Sequence, residues 1–159
     1  MRRLTNSGAS TMEIRTDFKE LLELFNKHRV EYLIVGGYAL AFHGAPRFTR
    51  DIDLFVRPTS DNAVRILAAL AEFGFGSLGL SQEDFTTAGR IVQLGVAPIR
   101  IDLVTRITGV AWEKADTGKA SGFYDDVPVF FLGRDEFIAN KRATGRAKDA
   151  ADVEALGES

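Results

Sequence analysis

The sequence predicts a small α/β domain in which a mixed, twisted β-sheet carries helices mainly on one face and short helices close the C-terminal end. Three observations carry this prediction. The chain has 159 residues, 45% of them apolar, which is the size of one ordinary domain with a buried core. Apolar residues recur with helical period in some segments, as at Phe18, Leu21, Leu22 and Phe25. Elsewhere they gather in short runs cut off by glycine or proline, the pattern of strands entering turns.

Residues 1–11 are mostly small and polar and are expected to be disordered, leaving residues 12–159 as a single domain. Thr16 is the expected N-cap of a first helix that ends near His28. Glu31-Tyr32-Leu33-Ile34-Val35 reads as a buried strand stopped by Gly36-Gly37, and a short helix runs from Gly37 to His43. Gly44-Ala45-Pro46 breaks that helix, and a strand follows from Asp51 to Val56. Pro58-Thr59-Ser60 opens a helix with Ala63, Ile66, Leu67, Leu70 and Phe73 on its apolar face and Gly74 as its stop. Ser81 caps a short turn through Phe85, and the segments 90–94 and 99–105 form a hairpin around Gly95 and Pro98. Residues 110–115 are weakly helical, Phe123 and Val127–Leu132 suggest edge strands around Asp125-Asp126, and helices over 135–143 and 146–156 close the chain.

Composition narrows the function. A formal charge of −2 leaves no global basic surface, so any contact with nucleic acid falls to a local cluster such as Arg134, Lys141, Arg142, Arg146 and Lys148. The chain has no cysteine, which excludes disulfides, thiolate metal sites and a cysteine nucleophile. No segment has the roughly 20 consecutive apolar residues of a membrane span, and the N-terminus lacks a secretory apolar run. A soluble cytoplasmic protein is expected.

Chemistry concentrates at three carboxylates. In Asp51-Ile52-Asp53-Leu54-Phe55-Val56 two aspartates share one face of a strand, although Asp is disfavoured in strands. Their repulsion calls for a cation, which is either Arg47, Arg50 or Lys141, or solvent, or a bound metal. Ile99-Arg100-Ile101-Asp102-Leu103-Val104 places another carboxylate among aliphatic neighbours, with Arg100 on the same face as an alternative local partner. If the two strands are neighbours, Asp51, Asp53 and Asp102 converge as hard oxygen ligands suited to Mg2+, at an exposed edge of the sheet. Gly36-Gly37 lies between a strand and a helix start, where backbone N–H groups can cradle a phosphate; a plain turn is the competing reading.

Gly36-Gly37, thirteen residues, Asp51-Ile52-Asp53 and a later strand bearing Asp102 together resemble the signature of the polymerase-beta-type nucleotidyltransferase superfamily. Gly36 to Gly44 followed by Arg47 to Asp53 is similar to minimal bacterial nucleotidyltransferases related to abortive-infection toxins and to antitoxin-type nucleotidyltransferases. The ending from Leu132 to Asp149, with Lys141 and Gly145-Arg146-Ala147-Lys148-Asp149, resembles the tail of those proteins. Many relatives carry Ser after the first glycine, where this chain has Gly37.

The resemblance implies transfer of a nucleoside monophosphate from a nucleoside triphosphate such as ATP, with two Mg2+ ions. Asp51 and Asp53 would bridge both metals and Asp102 would hold the one that activates the attacking hydroxyl. Gly36, Gly37, Arg47, Arg50 and Lys141 are the expected nucleotide-binding residues, the cations by contact with phosphate oxygens. The acceptor is open among a transfer RNA, a partner protein and a small molecule, in a toxin-antitoxin or phage-defence setting, with a homo-oligomer possible. Two other functions compete: a non-catalytic antitoxin-like module that keeps the fold and binds a partner, and a metal-dependent phosphoesterase, which the chain's two histidines disfavour. Arg146, Lys148, Asp149 and Asp152 are expected as a surface charge ladder or as helix-docking pairs. His43 is expected to be a hydrogen-bonded structural residue, Tyr38 to pack under the sheet, Trp112 to lie in the core or a subunit interface, and His28 to be exposed.

Overall fold

The computed structural model describes residues 3–4, 14–45, 48–95 and 100–158. Arg3–Leu4 (β1) pairs antiparallel with Ile14–Arg15 (β2). The expected disorder of residues 1–11 therefore meets an extended pair at Arg3–Leu4, and the rest of that segment lies outside the described residues. Helix α1, Thr16–Lys27, follows at once. Its cap position is Arg15, which makes no side-chain cap bond, and Thr16 begins the helix instead of capping it.

The main sheet is built from Tyr32–Val35 (β3), Ile52–Val56 (β4), Ile91–Leu94 (β5), Ile101–Val104 (β6), Ala120–Tyr124 (β7) and Val127–Phe131 (β8). Their order is β5-β6-β4-β3-β8-β7. β3 with β8 and β4 with β6 are parallel, and the other neighbours are antiparallel, including the expected β5–β6 hairpin. Of the two strands expected at an edge only β7 is one. β8 lies inside the sheet because Ile34 of β3 pairs with Phe131.

Residues opposite each other in a ladder share a face, so Ile34, Leu54, Leu103 and Phe131 point to one side. That side carries α1, the short helix α2 (Gly36–Phe42) and, packed against α1, helix α3 (Ser60–Leu70). Its joints are aromatic: Phe25 meets Tyr32 at 5.5 Å, Tyr38 meets Tyr124 at 5.8 Å, and Phe42 stacks on Phe131 at 4.1 Å between ring centroids. Tyr38 is buried beneath the sheet, as its sequence context suggests. The opposite side is covered in part by α4 (Trp112–Gly118), whose buried Trp112 meets Phe55 edge-on at 5.1 Å. Phe123 and Phe130 of the β7–β8 hairpin stay exposed, with Lys119 Nζ 4.4 Å above the Phe130 ring. Helices α5 (Arg134–Thr144) and α6 (Ala147–Ala155) end the fold, joined at Gly145 in the left-handed conformation.

Thr59 caps α3, and after it a wide turn over Ala71–Phe75 reverses at Gly74, whose φ is 108°. Asn62 on α3 is fully buried and ties the ends of β3 and β4 together. Its Oδ1 accepts from Glu31 N–H at 2.7 Å, while Nδ2 donates to the carbonyls of Glu31 at 2.9 Å and Arg57 at 3.0 Å. Replacing Asn62 with Ala orphans the Glu31 N–H, while the carbonyls of Glu31 and Arg57 keep the N–H groups of Arg57 and Thr59, and is expected to lower stability by about 1–3 kcal/mol. Urea unfolding measures this as a shifted midpoint with an unchanged slope; an unshifted midpoint would show that water replaces the amide at no cost.

Candidate active site

β3 ends at Val35, whose ladder partner is Asp53. The chain then reverses at Gly36 with φ +68°, a conformation that favours glycine, and the backbone passes directly against the Asp53 carboxylate. A Cβ at Gly36 would collide with Asp53 Oδ2. At Gly37 a Cβ would lie 3.0 Å from the Thr49 side chain, and Thr49 Oγ1 donates to the Asp51 carbonyl at 3.1 Å. The two glycines thus let α2 start against the segment that carries the aspartates.

On the next strand pair, β4 and β6 run parallel with Asp53 directly opposite Asp102. The two carboxylates share a hydrogen bond. Asp51 precedes β4, and Arg100 precedes β6 beside it, as Ile52 N–H bonds to the Arg100 carbonyl at 3.1 Å. Arg100 Nη2 donates to Asp51 Oδ2 at 3.1 Å, and its Nε lies 3.9 Å from Asp102 Oδ1. The expected convergence on one sheet region therefore holds for all three aspartates. The location differs from the expected exposed edge: β4 and β6 are inner strands, because β5 pairs outside β6 and β3 outside β4.

Burial, reinforced by Asp102 and then Asp51, raises the Asp53 carboxyl to about 7, while Lys141 pulls the other way. Burial also raises Asp102, and Asp51 adds to it, against Arg100 and the hydrogen bond from Asp53. This is the signature of two like charges sharing one proton. Among the described residues no group of three or more metal-type side chains is arranged to hold an ion. The donor set nonetheless suits a hard divalent cation: the oxygens are carboxylate, and Asp102 Oδ1 is buried without a hydrogen-bond partner. Asp51 would join them on release from Arg100.

The flanking cations are distributed differently from the sequence expectation. Arg47 lies outside the described residues. Arg50 is exposed and stacks over Phe48 at 5.5 Å, sharing a shallow 440 Å³ depression with Thr49 and Lys148. The partner of Asp51 is thus Arg100, a pairing visible in the sequence only once the two Asp strands are set in parallel. Lys141 is 12% exposed rather than solvated, with Nζ 3.3 Å from Asp149 Oδ1. Asp149 is fully buried and also accepts from Thr144 at 2.5 Å and Arg146 at 2.7 Å. Of the two readings, surface ladder or helix-docking pairs, the second therefore holds at Asp149 and Asp152, which are buried where α6 docks on α5. His43 Nε2 meets the Leu132 carbonyl at 2.7 Å, a structural role, and His28 is tied to Glu72 at 3.0 Å.

Two outcomes follow from these charges. The folded-state value of Asp53 lies above its ordinary 3.8, so its contribution is fully present below pH 4 and is lost as pH rises towards 7. The stability of the metal-free protein relative to Asp53→Asn should fall over that window in urea titrations; a constant difference would show that Asp53 ionises normally. For Asp149, burial opposes ionisation, but Thr144, Arg146 and Lys141 outweigh it and hold the carboxyl at about 2. Its contribution is present above pH 4 and is lost as pH falls towards 2. Asp149→Asn should destabilise the fold by on the order of 3 kcal/mol, the low end for a broken buried pair because Arg146 is exposed. Equal denaturation midpoints for the two proteins at pH 7 would contradict that.

Comparison with known proteins agrees with this geometry. The fold is similar to that of a Thermotoga maritima protein assigned to the nucleotidyltransferases, with a TM-score of 0.59 and 15% identity over 89% of this chain and 92% of that one. It is also similar to a lincosamide antibiotic adenylyltransferase with lincomycin bound, with a TM-score of 0.55 and 12% identity over 91% and 97% of the two chains. A further similar structure is ANT(2'')-Ia in complex with adenylyl-2''-tobramycin, with a TM-score of 0.53 and 14% identity over 87% and 84%. At such identities these likenesses establish the fold alone. No curated protein matches the sequence significantly. The family model for the nucleotidyl transferase AbiEii toxin of type IV toxin-antitoxin systems matches residues 21–118, a span that includes Gly36, Gly37 and the three aspartates. With that match covering more than half its length, the chain belongs to the AbiEii nucleotidyltransferase family.

Proposed function

We propose that this protein is a metal-dependent nucleotidyltransferase that moves a nucleoside monophosphate from a nucleoside triphosphate to an acceptor hydroxyl. The observation that supports this most is the in-register approach of Asp53 and Asp102 on parallel strands, with Asp51 beside them and the Gly36 backbone against them. Two half-buried carboxylates, with Asp53 raised to about 7 by burial and by repulsion from Asp102, are poised to take up a cation.

In the reaction the acceptor oxygen forms a bond to the α-phosphorus, the bond to the β-phosphate oxygen breaks, and pyrophosphate leaves. Asp51, Asp53 and Asp102 would hold two Mg2+ ions, which supply charge neutralisation for the attacking oxygen, the phosphoryl oxygens and the leaving group. The chain's own residues do the placing. Gly36 and Gly37 leave the start of α2 free of side chains, so that a phosphate can approach its N–H groups. Arg50 and Lys148, neighbours in the depression beside this segment, are positioned for outer phosphate oxygens. Lys141, oriented by Asp149, acts on Asp53 across the site and offers a point charge to the same tail.

The acceptor class follows from what the surface offers. Arg134 is engaged by Glu158 and the Leu156 carbonyl, and Arg146 and Lys141 by Asp149, so much of the basic stretch serves the fold. An acceptor that brings no negative charge, such as the lincomycin and tobramycin of the similar structures, needs the least from it. A transfer RNA end relies instead on Arg50 and Lys148. A toxin acting in the cytoplasm, where triphosphates are available, fits either.

Calorimetric titration with the four ribonucleoside triphosphates, with and without Mg2+, tests the reading. We expect Mg2+-dependent binding that Asp53→Asn and Asp102→Asn each remove, and at least about a hundredfold loss of nucleotidyl transfer with folding retained. Undiminished transfer by folded Asp53→Asn would refute the assignment.

A further inference from the structure

We propose that Arg100 is a displaceable internal counter-ion of the carboxylate site: its guanidinium spans Asp51 and Asp102 and has to leave these oxygens before a divalent cation can engage all three aspartates. This rests on the reading of Asp51, Asp53 and Asp102 as cation ligands.

The backbone fixes where Arg100 sits. Because Ile52 N–H bonds to the Arg100 carbonyl, Arg100 enters β6 alongside Asp51 entering β4, one step from the Asp53–Asp102 pair. Its head reaches both flanking carboxylates, at 3.1 Å to Asp51 and 3.9 Å to Asp102. The two contacts are unequal. The first is a hydrogen bond, while at the second Nε and Asp102 Oδ1 face each other buried and without hydrogen-bond partners. The bridge is closed on one side and open on the other, which is what an easily released clamp requires.

Chemistry separates Arg100 from the other cation near the site. Lys141 is anchored elsewhere, on Asp149, and stays in place when the carboxylates change partner. The ion pairs of Arg100 are with the candidate ligands themselves. An arginine does not lose its charge in the range where proteins are folded, so it can be removed only by movement, and at 34% exposure its side chain has a route into solvent. Asp51 bound to a guanidinium is an oxygen withheld from a metal. Cation entry at these carboxylates therefore has to replace Arg100.

The test is Mn2+ binding without nucleotide, followed by the electron paramagnetic resonance signal of the free ion, for the wild type, Arg100→Gln, Arg100→Lys and Asp53→Asn. Removing a partly exposed ion pair should tighten Mn2+ binding roughly three- to tenfold in Arg100→Gln. Arg100→Lys should fall between, because an ammonium neutralises one carboxylate without spanning two. Asp53→Asn should weaken binding in either background. Equal affinity of wild type and Arg100→Gln, with binding still lost in Asp53→Asn, overturns the counter-ion role and leaves the carboxylate reading standing. Arg100→Lys binding no better than the wild type shows that charge alone sets the affinity and overturns the bridge. No Mn2+ binding by folded wild type or folded Arg100→Gln overturns the carboxylate reading and this proposal with it.

Discussion

Asp53 and Asp102 face each other because β4 and β6 are parallel neighbours in a fixed register, and the chemistry of the molecule is arranged around that pairing. β4 is hydrogen-bonded on both margins, to β3 and to β6, so it cannot slide along either. A slip of one residue would turn Asp53 into the face filled by Leu54, Leu103 and the helices α1 and α3. The same registry brings Val35 opposite Asp53, and so fixes where β3 must end and why a side chain cannot follow it at position 36. Placing two carboxylates in contact is unfavourable in a low-dielectric setting. The surroundings answer with Arg100 beside Asp51 and Asp102, and with Lys141, whose charge favours the ionised Asp53.

Much of this was legible in the sequence. The helical period at Phe18, Leu21, Leu22 and Phe25, the apolar run ending at Gly36-Gly37, and the aspartates inside β-branched and aliphatic runs are local signals, and the elements they predict are present. What the sequence hid was non-local. Whether β8 is an edge depends on its pairing with β3, almost a hundred residues earlier in the chain, and no local pattern carries that information. For the same reason Arg100 looked like a partner of Asp102 on its own strand, whereas its shorter contact is with Asp51 across the ladder.

Charge at the C-terminal end left two readings open, and the structure chooses helix docking over a solvated ladder. Arg146, Lys148, Asp149 and Asp152 have the spacing of a solvated helix face, yet Asp149 is fully buried, since Gly145 folds α6 back on α5 and brings Lys141, Thr144 and Arg146 around one carboxylate. Charged residues are rarely buried unless paired, and here the partners come from the preceding helix and the turn. Lys141 thus belongs to the docking cluster through Asp149, and its charge reaches from the helix pair to Asp53.

The β7–β8 hairpin bears on how the protein behaves at high concentration. β7 is an open margin of the sheet, and Phe123 and Phe130 sit exposed on its hairpin, a combination that invites a further strand to add and propagate. Lys119 lies over the Phe130 ring immediately before that strand. An incoming backbone would meet this ammonium, held by Asp116 at 2.7 Å, and would have to desolvate the ion pair to reach the aromatic surface, which disfavours strand addition there.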